Sequence, residues 1–244
     1  MTTNMVVASI GAHPDDVELG MGGTLAKHSY RGDEIHIILC TLGIGGTSGD
    51  PKAREQEAQA AAKLLNAKLH ILDFPILKLN KPSIEFENIL KRTINHINPH
   101  RLYTHSPLDY HQVHEAVSEC TTNAAKDVEQ FLFYEIISST TPEFRANAYV
   151  DITDYVDKKI ECLAYHNTQS SKLYMQSRMI RSLAHTRYLL GKIGTKNDGM
   201  AEAFTIGRMV ISSRPNIQDD FSRSSSSTAD YHPSDNEKKV YHKV

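Results

Sequence analysis

Ile10-Gly11-Ala12-His13-Pro14-Asp15-Asp16-Val17-Glu18-Leu19-Gly20 is the stretch on which the reading of this chain turns. Before it stands Met5-Val6-Val7-Ala8-Ser9-Ile10, a short apolar run with the character of a buried strand. After it, Gly22-Gly23-Thr24-Leu25-Ala26-Lys27 opens a helical pattern. A strand-turn-helix of this kind delivers the side chains of its turn to the carboxyl edge of a parallel sheet, where open α/β sheets bind ligands. The turn delivers one imidazole and two adjacent carboxylates. His13 and Asp16 are three apart, so a tight turn aims both at one point and leaves Asp15 for another task. Asp also favours helix starts, because it satisfies free N–H groups. That accounts for one Asp, but not for a His and two Asp around Pro14, so the cluster is a candidate for metal binding or acid–base work.

Outward from this turn, the first half alternates strand and helix signals. Strands are predicted at about 5–10, 35–40, 69–74 and 102–105, and helices at about 19–31, 51–66 and 83–99. Asp50-Pro51 and Ser83 are the predicted helix starts. Asp109 is expected to cap a helix carrying His111 and His114 and running to about Ala125. The second half is less regular. Strands are expected at 131–137 and 148–152, and Thr153-Asp154 is expected to cap a helix reaching His166. One long helix is expected over 171–190, with Leu173, Met179, Ile180, Leu183 and Leu190 as core positions, before a last apolar run at 200–211. The fold class is α/β: a Rossmann-like, mostly parallel sheet flanked by helices, with a less regular C-terminal portion. A single domain is expected over 1–212, followed by a Ser-rich polar tail, 213–244, of poorly ordered composition.

The bulk numbers narrow the function. A chain of 244 residues is long enough for one sizeable α/β core. A net charge of -2 argues against a general nucleic-acid or anionic-membrane binder, and no apolar run is long enough to span a bilayer. The N-terminus lacks a basic segment followed by an apolar core, so no signal peptide is expected. Cys40, Cys120 and Cys162 are far apart and form no C-x-x-C, which leaves a reduced, cytoplasmic protein as the expectation.

Asp109-Tyr110-His111-Gln112-Val113-His114 is the second constellation. Read alone, it is a capped helix with partly exposed histidines. Read with the first, both motifs follow predicted parallel strands and belong at the same sheet edge. A His and an Asp from one loop with a His from the other make a three-ligand N/O set, the pattern of a catalytic zinc site with a position open for water. The Gly43–Gly49 loop after strand two is either a pocket wall that binds an anion through its N–H groups or a surface loop. It does not follow strand one, so it is no dinucleotide fingerprint, and a Rossmann-type nucleotide binder is disfavoured. Arg54 and Glu57, one turn apart, form either an exposed ion pair or a pocket-facing arginine held by Glu57.

These ordered pieces resemble the LmbE/PIG-L family of zinc-dependent N-acetylglucosamine de-N-acetylases. The signature Ala-His-Pro-Asp-Asp-x-Glu-x-Gly stands as Ala12–Gly20, the Arg-x-x-Glu-x-x-x-Ala helix as Arg54, Glu57 and Ala61, and the late His motif as Asp109–His114. Val150–Thr153, Lys159, His166, Glu202 and Phe204 match further pieces, so the resemblance spans about 5–210. It implies that His13, Asp16 and His114 bind Zn2+, that Asp15 is the general base, and that His111 faces the developing oxyanion. Arg54, in its pocket-facing reading, is a candidate substrate-binding residue that could meet a phosphate or carboxylate on the aglycone. One departure is that the second Asp of the late motif is Val113 here, which points either to a lower pKa of His111 or to support of its protonated form by Asp109. The expected activity is zinc-dependent hydrolysis of the N-acetyl group of a small-molecule N-acetylated amino sugar conjugate, by attack of a zinc-activated water. The alternative is a non-catalytic metal- or sugar-binding member of the same fold. Homo-oligomers are a further expectation of the resemblance.

Overall fold

In the computed structural model, residues 4–43 and 50–210 are described. The expected glycine loop, apart from Gly43, and the expected tail lie outside these residues. The first half folds as its pattern requires: β1 (Val6–Gly11), α1 (Asp16–Arg31), β2 (Glu34–Leu39), α2 (Pro51–Leu64), β3 (Ala67–Ile71), α3 (Ile84–Ile97), β4 (Arg101–His105) and α4 (Gln112–Ala124). The second half adds β5 (Gln130–Tyr134), β6 (Ala148–Asp151), α5 (Val156–Ala164), α6 (Ser177–Leu190) and β7 (Ala201–Met209). All seven strands form one sheet in the order β3-β2-β1-β4-β5-β7-β6. The pairs β2–β3, β1–β2, β1–β4 and β4–β5 are parallel, whereas β7 runs antiparallel to both β5 and β6.

Side chains alternate across the strands and feed two apolar layers. Val7, Ile35, Ile37 and Leu132 face one side, where they meet Leu25 of α1, Ala61 of α2, Leu163 of α5 and Ile180 of α6. Ala8, Ile10, Ile38 and Phe131 face the other side, against Phe86 and Leu90 of α3 and Val117 of α4. The strand order reverses at the β1–β4 junction, so the loops after β1 and β4 open side by side at a switch point of the sheet.

Local chemistry explains where the chain meets the sequence expectations and where it leaves them. Asp50 accepts from the Lys52 N–H and Ser83 from the Phe86 N–H, so both are caps. Thr153 is not a cap. Its hydroxyl donates to Asp151 and accepts from the Met200 N–H, which ties it to the sheet, and α5 starts only at Val156. The helix expected over 171–190 is broken, because Lys172 and Gln176 are extended around a 3₁₀ turn at Leu173–Met175. Helix α6 buries Ile180, Ala184 and Tyr188, a stripe spaced by four, whereas Leu173 and Leu190 are exposed. Helix α1 begins at Asp16 and is itself kinked at Met21 (φ -149°). There the Glu202 carboxylate of β7 accepts from the Gly23 and Thr24 N–H groups, capping the second part of the helix.

Candidate active site

The turn between β1 and α1 is built around the Asp16 carboxylate. Oδ2 of Asp16 accepts from the His13 N–H at 2.7 Å and lies 3.2 Å from His13 Nδ1. The same oxygen is 3.4 Å from His114 Nε2 and 3.3 Å from His105 Nε2. The sequence reading thus brings together three of these four groups and misses His105. His105 ends β4, fully buried, with its ring stacked on His114 at a centroid distance of 4.0 Å. Its place at the carboxyl end of a central strand is the signal by which it was open to discovery.

His111 and His114 are not both helical. Gln112 is the first residue of α4, and His111 occupies the N-cap position. Asp109 is therefore not the cap but a buried bracket. One of its oxygens accepts from the His111 backbone N–H at 2.8 Å, and the other lies 3.1 Å from His114 Nδ1. This fixes the His114 ring and leaves Nε2 directed at Asp16. Support by Asp109 therefore goes to the His114 ring, not to the His111 ring. The rings of His111 and His114 stack at 4.4 Å, and His111 stands 5.0 Å from His13 at the rim of the pocket.

Asp15 lines the same pocket but is not among the groups gathered around the Asp16 oxygen. Its backbone has φ 102°, a region that costs a non-glycine residue of the order of 1–3 kcal/mol and is held by the surrounding structure. The restraints are visible. Asp15 O accepts from the Leu19 N–H, while Arg54 donates to Pro14 O at 2.7 Å and stands 3.5 Å from Asp15 Oδ1. Arg54 does face the pocket, but Glu57 does not hold it. Glu57 instead accepts from the N–H and hydroxyl of Thr168, anchoring the 167–169 turn to α2.

The electrostatics separate the neighbouring acids. Burial works to raise Asp16, but His114, His13 and His105 hold it well below the ordinary carboxylate range. Burial, with the adjacent Asp16 charge, pushes Asp15 up to about 7 against the opposing pull of His166 and Arg54. Burial opposes protonation of His114, yet Asp16 and Asp109 raise it to about 10. Desolvation of its ring, followed by the charges of His114 and His13, lowers His111 to about 4, so at neutral pH it is a neutral imidazole.

Could this arrangement hold a divalent ion? Four ligands at about 2.0–2.1 Å in tetrahedral geometry stand roughly 3.3 Å from one another. The separations of 3.2 Å and 3.4 Å from Asp16 Oδ2 to His13 Nδ1 and His114 Nε2 match that edge. His105 is not equivalent, because its Nε2 already accepts from the Ala12 N–H at 2.9 Å. Two edges of the His13, Asp16 and His114 set thus suit the ion, while the donors that all lie within 4.8 Å of one another group as His13, His111 and His114 and as Asp16, His105 and His114, with Asp109 behind His114 in the carboxylate–histidine pairing that orients metal ligands. The set opens into a cavity of about 250 Å³. Its walls add residues that the sequence pattern did not reveal: Ser138 and Ser139 from the loop after β5, and Gln169, Lys172 and Tyr174 from the segment between α5 and α6.

Comparison with known proteins places these residues in context. The family model described as PIG-L, GlcNAc-PI de-N-acetylase, matches residues 8–125. A protein of Escherichia coli strain K12 described as "uncharacterized deacetylase YaiS" is 33% identical over 169 residues, which cover 66% of this chain and 90% of that protein. Among solved structures, the N,N'-diacetylchitobiose deacetylase of Pyrococcus horikoshii superposes with a TM-score of 0.65 at 23% identity, over 82% of each chain. GalB, the 4-carboxy-2-hydroxymuconate hydratase of Pseudomonas putida KT2440, superposes with a TM-score of 0.73 at 20% identity, over 84% of this chain and 97% of the other. At such identities the two superpositions establish the shared fold alone.

Proposed function

The chain belongs to the PIG-L (LmbE) family, and on that premise we propose that it is an amide hydrolase removing the N-acetyl group from an N-acetylated amino sugar conjugate. The observation that carries the reading is the division of labour between two adjacent acids. Asp16 is held ionised among imidazoles, while burial raises the proton affinity of Asp15, which stands in a strained backbone and lines the pocket. Environments that push neighbouring titratable groups apart mark acid–base chemistry. A purely metal- or sugar-binding module has no use for the second acid.

His13, Asp16 and His114 would hold a divalent ion, with zinc our assignment; when bound, such an ion polarises a carbonyl and lowers the pKa of a water molecule. Asp15 takes a proton from the attacking water, and its raised proton affinity suits it to return that proton to the departing amine. Arg54 fixes Pro14 and Asp15, so the carboxylate meets the water without first reorganising. His111 donates a ring N–H to the amide oxygen as negative charge grows there.

Acetate release from N-acetylglucosamine conjugates by the purified protein, with metal content determined, tests the proposal. Acetate formation that depends on both Asp15 and bound metal supports it. Metal uptake without acetate from any conjugate sinks it, and loss of the ultraviolet absorbance of a conjugated unsaturated carboxylic acid reads out hydration, the chemistry of the fold neighbour from Pseudomonas.

A further inference from the structure

Among the described residues, one arginine and one lysine line the pocket, and they are not equivalent. Arg54 is buried and committed to the catalytic turn through Pro14 O and Asp15. Lys172 is half-buried, and among the described residues no carboxylate pairs with it. Its ammonium group lies instead 5.5 Å from the centroid of the Tyr174 ring. An ammonium has three N–H donors, so a cation beside an aromatic ring keeps donors for a further acceptor.

Lys172 is also presented from a built wall. It sits between two 3₁₀ turns, Asn167–Gln169 and Leu173–Met175. Its N–H donates to Gln169 O at 3.0 Å, and its carbonyl accepts from the Met175 N–H at 3.0 Å. The first turn is pinned to α2 by the two hydrogen bonds from Thr168 to Glu57, at 2.8 Å and 2.7 Å. A compact charge on a fixed backbone, lining the same pocket and without a carboxylate partner among the described residues, selects ligands by charge.

We infer that Lys172, seated on Tyr174, binds an anionic group, a carboxylate or a phosphate monoester, on the part of the substrate that keeps the amine. The role that charge alone suggested for Arg54 is assigned to Lys172, because Nη2 of Arg54 is engaged by Pro14 O and stands beside Asp15, so its charge faces a carboxylate already, while its buried Nε has no hydrogen-bond partner among the described residues. The inference rests on the deacetylase reading for the orientation of the substrate, and it is tested separately from it.

Calorimetric binding to the zinc-loaded Asp15→Asn protein, which keeps the pocket without turnover, compares three ligands. They are methyl N-acetylglucosaminide, the N-acetylglucosaminide of glycolic acid, and N-acetylglucosamine 1-phosphate. The expected preference for an anionic over the neutral ligand is about tenfold or more, the effect of one charge-assisted contact. Adding Lys172→Gln brings that ratio close to one, Lys172→Arg retains most of it, and Tyr174→Leu lowers it. Whichever anionic ligand carries the larger ratio identifies the source of the charge. No preference in the Asp15→Asn protein, or a ratio that survives Lys172→Gln, overturns the inference. Acetate release is measured in parallel with Asp15 intact, so a protein that selects anions through Lys172 but yields no acetate condemns the deacetylase reading alone.

Discussion

Two buried polar clusters flank the first turns of α1, and burial does not tell them apart. Asp16 and His114 are 4% and 3% exposed; Glu202 and Lys159 are 4% and 5% exposed. The difference is closure. At the kink of α1, Glu202 accepts from the Gly23 and Thr24 N–H groups at 3.0 Å and 2.6 Å, and from Lys159 Nζ at 2.6 Å. Lys159 spends a second donor on Leu19 O at 2.7 Å. Every charge there is met by an opposite charge and by backbone. At the start of α1, one carboxylate oxygen instead faces three imidazole nitrogens, beside a second acid and an open cavity. A buried cluster that satisfies itself is architecture. One whose donor atoms converge on a common point beside a cavity is a site.

The largest break in this comparison is expected at Asp15. Asp15→Asn should lower turnover by about 10²–10⁴-fold, the usual contribution of general acid–base catalysis. Metal content should stay at the wild-type level, and loss of metal would show that Asp15 belongs to the ligand set instead. Next comes Glu202→Ala, which strands a buried lysine and two helix N–H groups. It should cost about 3–5 kcal/mol in denaturant unfolding, while any folded fraction keeps its metal. Equal stability of variant and parent would mean that the closed cluster is not holding the kink.

A smaller effect sharpens the comparison through pH. In metal-free protein, Asp15 has a folded-state pKa of about 7, above the ordinary 3.8. The folded state therefore binds more protons than the unfolded state between these values, and this group's contribution to stability falls as pH rises from about 4 toward 8. Asp15→Asn removes that loss. The chelated variant should be more stable than chelated wild type at pH 8, with the advantage fading by pH 4. A constant difference across that window would contradict the assignment. The smallest effect is expected at Asp109. Asp109→Asn should weaken metal binding by about 10–100-fold, as loss of a partner behind a ligand does, whereas unchanged affinity would leave His114 positioned by its ring stacking alone.

The site was partly legible from sequence, for a local reason. His13, Asp15 and Asp16 lie within one turn, so their spacing alone fixes that they share it. His114 and Asp109 were legible as a second local motif following another strand. Their roles were not: Asp109 had the composition of a helix cap, but its carboxylate is taken by the His111 N–H and the His114 ring. Glu57 had the spacing of an ion pair with Arg54, but Thr168, 111 residues along the chain, claims it. Spacing states which groups can meet, and competition among distant donors decides which do.

By itself, the sequence determined an alternating α/β fold and the acid-rich turn after its first strand, because hydrophobic period and turn chemistry act over a few residues. Only the tertiary structure decided that His105 lies 3.3 Å from the Asp16 carboxylate, that β7 enters antiparallel between β5 and β6, and that Lys172 lines the pocket with no carboxylate partner among the described residues. Each of these depends on partners far apart in the chain, and such pairings are settled by how the sheet and its helices close, not by any local run of residues.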